Sequence, residues 1–479
     1  MEILIDFYIE CLKPKLALNL EKNENIALFI EKLNFIKKNP GIIKYSKDIS
    51  WLLLEKVFQI IVNLFIGIWV IRYLGPEQFG LLSYTLSFVG LFMVFATLGL
   101  DSIVIRELVN NRNKQEELIA TAFWLKFSGA VAVIIMIIMV INFISLGTQE
   151  VMLIFIMASA IIFKSFDVVD FYFKSHVLSK YVVFTKISAL LLSGALKIVL
   201  ILNESSLIYF AWLYVFDSAV IASGLIYFYF KNKLKVQHSN LTFNKYIAIS
   251  LLKDSYPLIL TGFITSIYIK IDQIMIKEFL DNTAVGQYAA AIKLTEAWLL
   301  LPAIVAASIF PAIINSKNKS EILYYSRLQN LTDIFLWISI FVSIIIAFNS
   351  SLIVNLLYGV QYTETASVLT IHIWTGVFVS IGITIQNWFI VENMQKYLFY
   401  RSIVGAIINI TLNYILIEEY GIQGAAYSTL ISIIIVYYLF NLISNKLRNI
   451  FILQTNAFLY PVRKLGIQIK FNMNKDGIK

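Results

Sequence analysis

One cysteine, Cys11, stands in the 479 residues, so no internal disulfide can form. Histidine is almost as scarce. His176, His238 and His372 make no metal-ligand spacing with one another or with Cys11, and no metal or cofactor is expected. Charged residues make up 14% of the chain, where a soluble domain carries roughly 25%. There is no Walker A loop, no glycine run of the dinucleotide type, and no nucleophile with a base on a loop. These absences remove the common soluble-enzyme chemistries.

What remains is apolar. Hydrophobic residues make up 59% of the chain, gathered into twelve stretches long enough to cross a bilayer, for which roughly 20 apolar residues suffice. The spans are placed at 49–71, 79–100, 119–145, 150–173, 181–202, 206–230, 254–276, 284–313, 331–349, 366–390, 399–417 and 422–443. The expectation is an all-α polytopic membrane protein. Pro257, Pro302 and Pro311 are expected to kink spans 7 and 8.

The net charge of +9 is distributed by side. Of 39 Lys and Arg, 30 fall on the side of the termini, and only Arg72 and Lys277 fall on the other. Positive loops stay cytoplasmic. Both termini are therefore expected in the cytoplasm, and the basic excess needs no nucleic acid. The opposite loops are short, so no catalytic domain fits there.

Residues 1–48 are interrupted by charge and carry no clean signal-peptide core. They read as a cytoplasmic leader with an amphipathic helix. Ile3, Leu4, Phe7, Tyr8, Cys11 and Leu12 form its apolar face, and Pro14 ends it. The polar stretch 231–253 reads as a cytoplasmic linker between lobes at 49–230 and 254–443, and 444–479 as a basic cytoplasmic tail. The lobes echo each other where their first two spans meet. Ile71-Arg72-Tyr73-Leu74-Gly75-Pro76-Glu77-Gln78-Phe79-Gly80 matches Ile276-Lys277 through Val285-Gly286 in pattern: a basic residue, an acidic turn, then a glycine. Six spans per half is an even number, which predicts parallel six-helix repeats around a central cavity.

Charges within spans cost about 2.5–3.5 kcal/mol each on insertion scales, so each needs a partner or a cavity. Lys126, Lys186, Lys197 and Lys270 lie near span ends and can snorkel. Lys164 with Asp167, and Lys293 with Glu296, are spaced to pair. Two polar stripes are expected to line the lumen: Glu55, Gln59 and Asn63 on span 1, and Thr261, Thr265, Tyr268 and Asp272 on span 7. Asp217 has no local partner and is the coupling-ion candidate.

The run Tyr73-Leu-Gly-Pro-Glu-Gln-Phe-Gly80, with Leu98-Gly-Leu and Ile105-Arg106-Glu107, resembles the first spans of the polysaccharide flippases, the O-antigen and capsule translocases. Ile271-Asp272-Gln-Ile-Met-Ile276 and Val285-Gly286-Gln-Tyr288 resemble their spans 7 and 8. The superfamily also holds the multidrug antiporters and the lipid II flippases. The resemblance implies a transporter, not an enzyme. It would move an oligosaccharide linked to undecaprenyl pyrophosphate, with the bilayer and the polysaccharide assembly machinery as partners. Under that reading Lys293, Lys197 and Lys270 are the candidate pyrophosphate ligands, and Glu55, Gln59, Asn63 and Asp272 line the lumen. A multidrug or cation antiporter is the alternative. A membrane glycosyltransferase or polymerase would need a domain that is not present.

Overall fold

The computed structural model describes residues 40–233 and 242–464. The expected leader helix, the middle of the expected linker and the end of the expected basic tail lie outside these residues. Among the described residues there are helices and turns and no strand.

In chain order the helices are α1 (Pro40–Thr97), α2 (Asp101–Asn110), α3 (Gln115–Ile141), α4 (Thr148–Ser159), α5 (Asp167–Ser175), α6 (Ser179–Leu202), α7 (Leu207–Lys233), α8 (Lys245–Phe279), α9 (Asn282–Lys317), α10 (Glu321–Phe348), α11 (Ser350–Leu357), α12 (Thr363–His372), α13 (Thr375–Val391), α14 (Gln395–Tyr420), α15 (Ile422–Tyr437), α16 (Arg448–Phe458) and α17 (Tyr460–Lys464). Among the described residues, ten helical stretches are long and apolar enough to cross a membrane, or eleven if the bent pair around α12 and α13 is one span. This is fewer than the twelve expected. The first stretch alone runs 64 residues, Lys47–Asn110, which at about 1.5 Å per residue exceeds one bilayer crossing several-fold in helix length.

That long stretch is broken at Gly75, with φ 69° and ψ 171°. Pro76 explains the break. It lacks an N–H and drives the preceding residue out of the α region, and a glycine accepts the positive φ that results. The sequence echo becomes a contact here. A Cβ on Gly80 would collide with the Asn282 carbonyl, and one on Gly286 with the Pro76 carbonyl. The two echoed segments cross with their backbones touching, which side chains would forbid.

The same end is stitched by hydrogen bonds between the halves. Gln361 Nε2 donates to the Arg72 carbonyl at 2.7 Å, and Tyr362 Oη donates to that of Ile71 at 2.8 Å. Lys277 Nζ lies 2.9 Å from Glu150 Oε1. Both basic residues that the charge count singled out, Arg72 and Lys277, therefore sit at the seam between the halves.

Two segments differ from their expected roles. Residues 245–253 are the first turns of α8, not linker. Asn244 caps them, its Oδ1 accepting from Tyr246 N at 3.0 Å and Ile247 N at 3.3 Å. Ala248 and Leu251 then bury in the core of the first half, against Leu118, Phe171 and Tyr229. Residues 448–464, expected in a tail, pack along α10. Leu447, Ile450, Leu453 and Ala457 recur at helical spacing and are fully buried. Trp337 Nε1 donates to the Ala457 carbonyl at 3.0 Å, and Arg463 pairs with buried Asp333 at 2.8 Å.

Candidate functional site

Two adjoining cavities open where α1, α6, α7 and α9 face one another. The first, of about 330 Å³, is lined by Asn63, Lys197, Phe210, Tyr214, Asp217 and Lys293 among mostly aliphatic neighbours. The second, of about 310 Å³, is lined by Lys56, Gln59, Asn63, Lys293, Glu296 and Tyr358. Asn63, Gly67, Ile71 and Lys293 belong to both. Lys293 thus stands on the wall that the two spaces share, with groups from the first half on one side and α9 on the other.

The charges here are loosely held. Lys293 Nζ is 3.2 Å from Glu296 Oε2, and both side chains are about half exposed or more, at 60% and 49%. Lys56 Nζ donates to Gln59 Oε1 at 3.2 Å. Asp217 Oδ1 is buried and has no hydrogen-bond partner among the described residues. Lys197 lies within electrostatic reach of Asp217. Three lysines and two carboxylates therefore surround the paired cavities, none locked into a saturated network. Such a site can exchange its internal contacts for those of a ligand.

Lys197, Lys293, Gln59, Asn63 and Asp217 are brought together as cavity lining. Lys270 is near but not among the lining residues. Its Cε stands 3.8 Å from where a Cβ on Gly90 would be, and it feels both Glu296 and Lys293 electrostatically.

Glu55 and Asp272 do not line either cavity. Glu55 is buried and faces Lys186 at 3.8 Å. Lys186 also meets Asp170 at 3.3 Å, and Lys174 meets Asp170 at 3.1 Å. Two lysines and two carboxylates close an ion cluster inside the first half, and Glu55 is consumed by it. Lys126 was expected to snorkel. It is 1% exposed instead, 3.2 Å from Asp101 Oδ1 and over the Phe171 ring at 4.6 Å.

None of the span 7 stripe is among the residues lining these two cavities. Thr261 and Thr265 donate to carbonyls of their own helix, both at 2.8 Å. Asp272 is buried between helices of the second half. It accepts from Tyr288 Oη at 2.7 Å, Thr429 Oγ1 at 2.6 Å and Asn413 Nδ2 at 2.6 Å. A buried carboxylate demands such donors, and α9, α14 and α15 supply them. Asn409 Oδ1 accepts from Asn413 Nδ2 at 3.2 Å, while Asn409 Nδ2 and Asn413 Oδ1 have no partner among the described residues. One carboxylate among amide and hydroxyl oxygens is the donor type of an alkali cation. No cluster of three or more His, Cys, Asp or Glu able to hold a metal occurs among the described residues.

A family model described as polysaccharide biosynthesis protein matches residues 45–317, which carry both echoed segments and most of the cavity lining. The chain belongs to the polysaccharide biosynthesis protein family. Solved structures share its fold. The lipid II flippase MurJ, in an inward closed conformation, aligns with TM-score 0.62 at 17% identity over 90% of this chain and 94% of that one. An inward-facing multidrug resistance MATE family transporter of the MOP superfamily aligns with TM-score 0.59 at 16% identity over 85% and 94%. A MOP superfamily transporter from Pyrococcus furiosus, described as having a binding pocket of reverse polarity, aligns with TM-score 0.56 at 13% identity over 88% and 96%. No curated protein matches the chain. This member of the family is a multi-pass membrane protein, and its fold is that of these solved transporters.

Spacing did not single out Lys56, Tyr214 or Tyr358 as lining, nor the donors Asn413 and Thr429 that surround Asp272. Asn409 and Asn413 do carry a signal, a pair of amides four apart in an apolar helix.

Proposed function

We propose that this protein is a flippase that moves an oligosaccharide linked to undecaprenyl pyrophosphate across the cytoplasmic membrane of a bacterium, for a surface polysaccharide of the O-antigen or capsule kind. The observation that carries this reading is the placement of Lys56, Lys197 and Lys293 around the paired cavities, with Lys293 reaching into the first-half cavity from the second half. A pyrophosphate is a multivalent anion, and ammonium groups in a low-dielectric space hold it strongly. Asn63, Gln59 and Tyr214 offer the amide and phenol contacts that suit a sugar. The excess of lysine over carboxylate supports an anionic substrate over a cationic drug.

The halves are joined at the Arg72–Lys277 end, which the charge bias assigns to the outside, with both termini in the cytoplasm. Transport is then alternating access: the seam opens as the halves rock, and the polyprenyl tail stays in the bilayer. Lys270, set just beyond the lining, joins the anion's field as the halves move. The open carboxylate of Asp217 supports a coupling-ion role, whereas the oxygens of Asp272 are already taken by donors from Tyr288, Thr429 and Asn413.

Lys293→Ala and Lys197→Ala are expected to cut surface polysaccharide about tenfold or more, since each removes a charge-assisted contact of about 1.5–3 kcal/mol. Protein level in the membrane should stay unchanged. Normal polysaccharide in both variants ends the assignment, and complementation of a flippase-deficient strain tests the activity itself. A multidrug antiporter is the second reading, favoured only by the cavity carboxylates Asp217 and Glu296. Robust efflux of a fluorescent cation would establish it instead.

A further inference from the structure

Glu296 is out of place in a cavity meant for an anion. It lines the second cavity beside Lys56 and Lys293, and its carboxylate sits 3.2 Å from Lys293 Nζ. Lys270 lies within electrostatic reach of the same carboxylate. A pair this exposed adds little to fold stability. The same carboxylate opposes ligand binding, because a fixed negative charge stands where the incoming anion must go.

Resting on the flippase reading above, we propose that Glu296 is an exchangeable internal anion. It occupies the Lys293 ammonium in the empty site, is displaced by the diphosphate of the substrate, and returns to Lys293 as the substrate leaves. A carboxylate and a phosphate oxygen make the same kind of charge-assisted bond to an ammonium, so one replaces the other without leaving Lys293 unpaired. Two consequences follow. The empty site does not capture stray phosphates from lipid headgroups. The diphosphate is also held less tightly than three lysines alone would hold it, which lets a transporter release its load. Lys293 suits this exchange because it borders both cavities, whereas Glu296 lines only the second.

The test measures retention of undecaprenyl pyrophosphate by the purified full-length protein in detergent, using native mass spectrometry, alongside polysaccharide export in cells. Glu296→Gln is expected to bind about two- to fivefold more tightly, the worth of an exposed ion pair, and to export more slowly at unchanged protein level. In a Lys293→Ala background, Glu296→Gln should give no gain in binding. Equal or weaker binding by Glu296→Gln, with Lys293→Ala still weakening binding, overturns the exchange and leaves the flippase reading intact. Tighter binding with undiminished export overturns the release role. Undiminished binding by Lys293→Ala overturns the cavity reading, and the exchange falls with it.

Discussion

Asp217 and Asp272 are both carboxylates set among apolar helices, and the protein treats them in opposite ways. Asp272 is fully enclosed and receives donors from Tyr288, Thr429 and Asn413. Asp217 borders a cavity of about 330 Å³ and leaves Oδ1 without a partner among the described residues. The contrast separates two uses of one functional group. A carboxylate with its lone pairs filled holds helices together, and α8, α9, α14 and α15 all meet at Asp272. One with spare capacity beside a cavity is available to a ligand or an ion.

The largest test of that contrast is Asp272→Leu. It strands three donors in the interior and is expected to destabilise the protein by about 3–5 kcal/mol, read as a marked fall in the unfolding temperature in detergent. A small change would mean that the cluster is loose and that Asp272 resembles Asp217 after all. Asp272→Asn keeps the shape and loses the charge, so a loss of about 1–3 kcal/mol is expected from mismatched donors. Unfolding scans with sodium or potassium as the only added cation sharpen this case. A cation-dependent stability that disappears in Asp272→Asn identifies an ion site there. The smallest effect on stability is expected for Asp217→Asn, within about 0.5 kcal/mol, with an altered ion or pH dependence of export. Unchanged export across pH would leave Asp217 as a passive wall residue.

Much of this was legible from residue order. The apolar stretches, the helical fold and the break at Gly75-Pro76 are local matters, settled by hydropathy and by backbone sterics. Gln59 and Asn63 were readable as lining because four residues bring a side chain back to the same helix face. Glu55 shares that face and was misplaced, and so was Asp272. Periodicity states which residues point the same way, but not what stands opposite them. Opposite Glu55 stand Lys186 and the Asp170 cluster, and opposite Asp272 stand α14 and α15. Lys126 looked free to snorkel for the same reason, since nothing near it in the chain announces Asp101 and Phe171.

By itself the sequence determined the solvent and the helical class, because each follows from how many apolar residues run together and where the breakers fall. Tertiary structure alone decided that the two echoed segments touch through Gly80 and Gly286. It also decided that Arg72 and Lys277 lie at one seam, and which intramembrane charges were neutralised and which left open. Burial and charge pairing depend on residues far apart in the chain. In a low dielectric the nearest opposite charge or donor, not the nearest in sequence, decides what an ionised group can do.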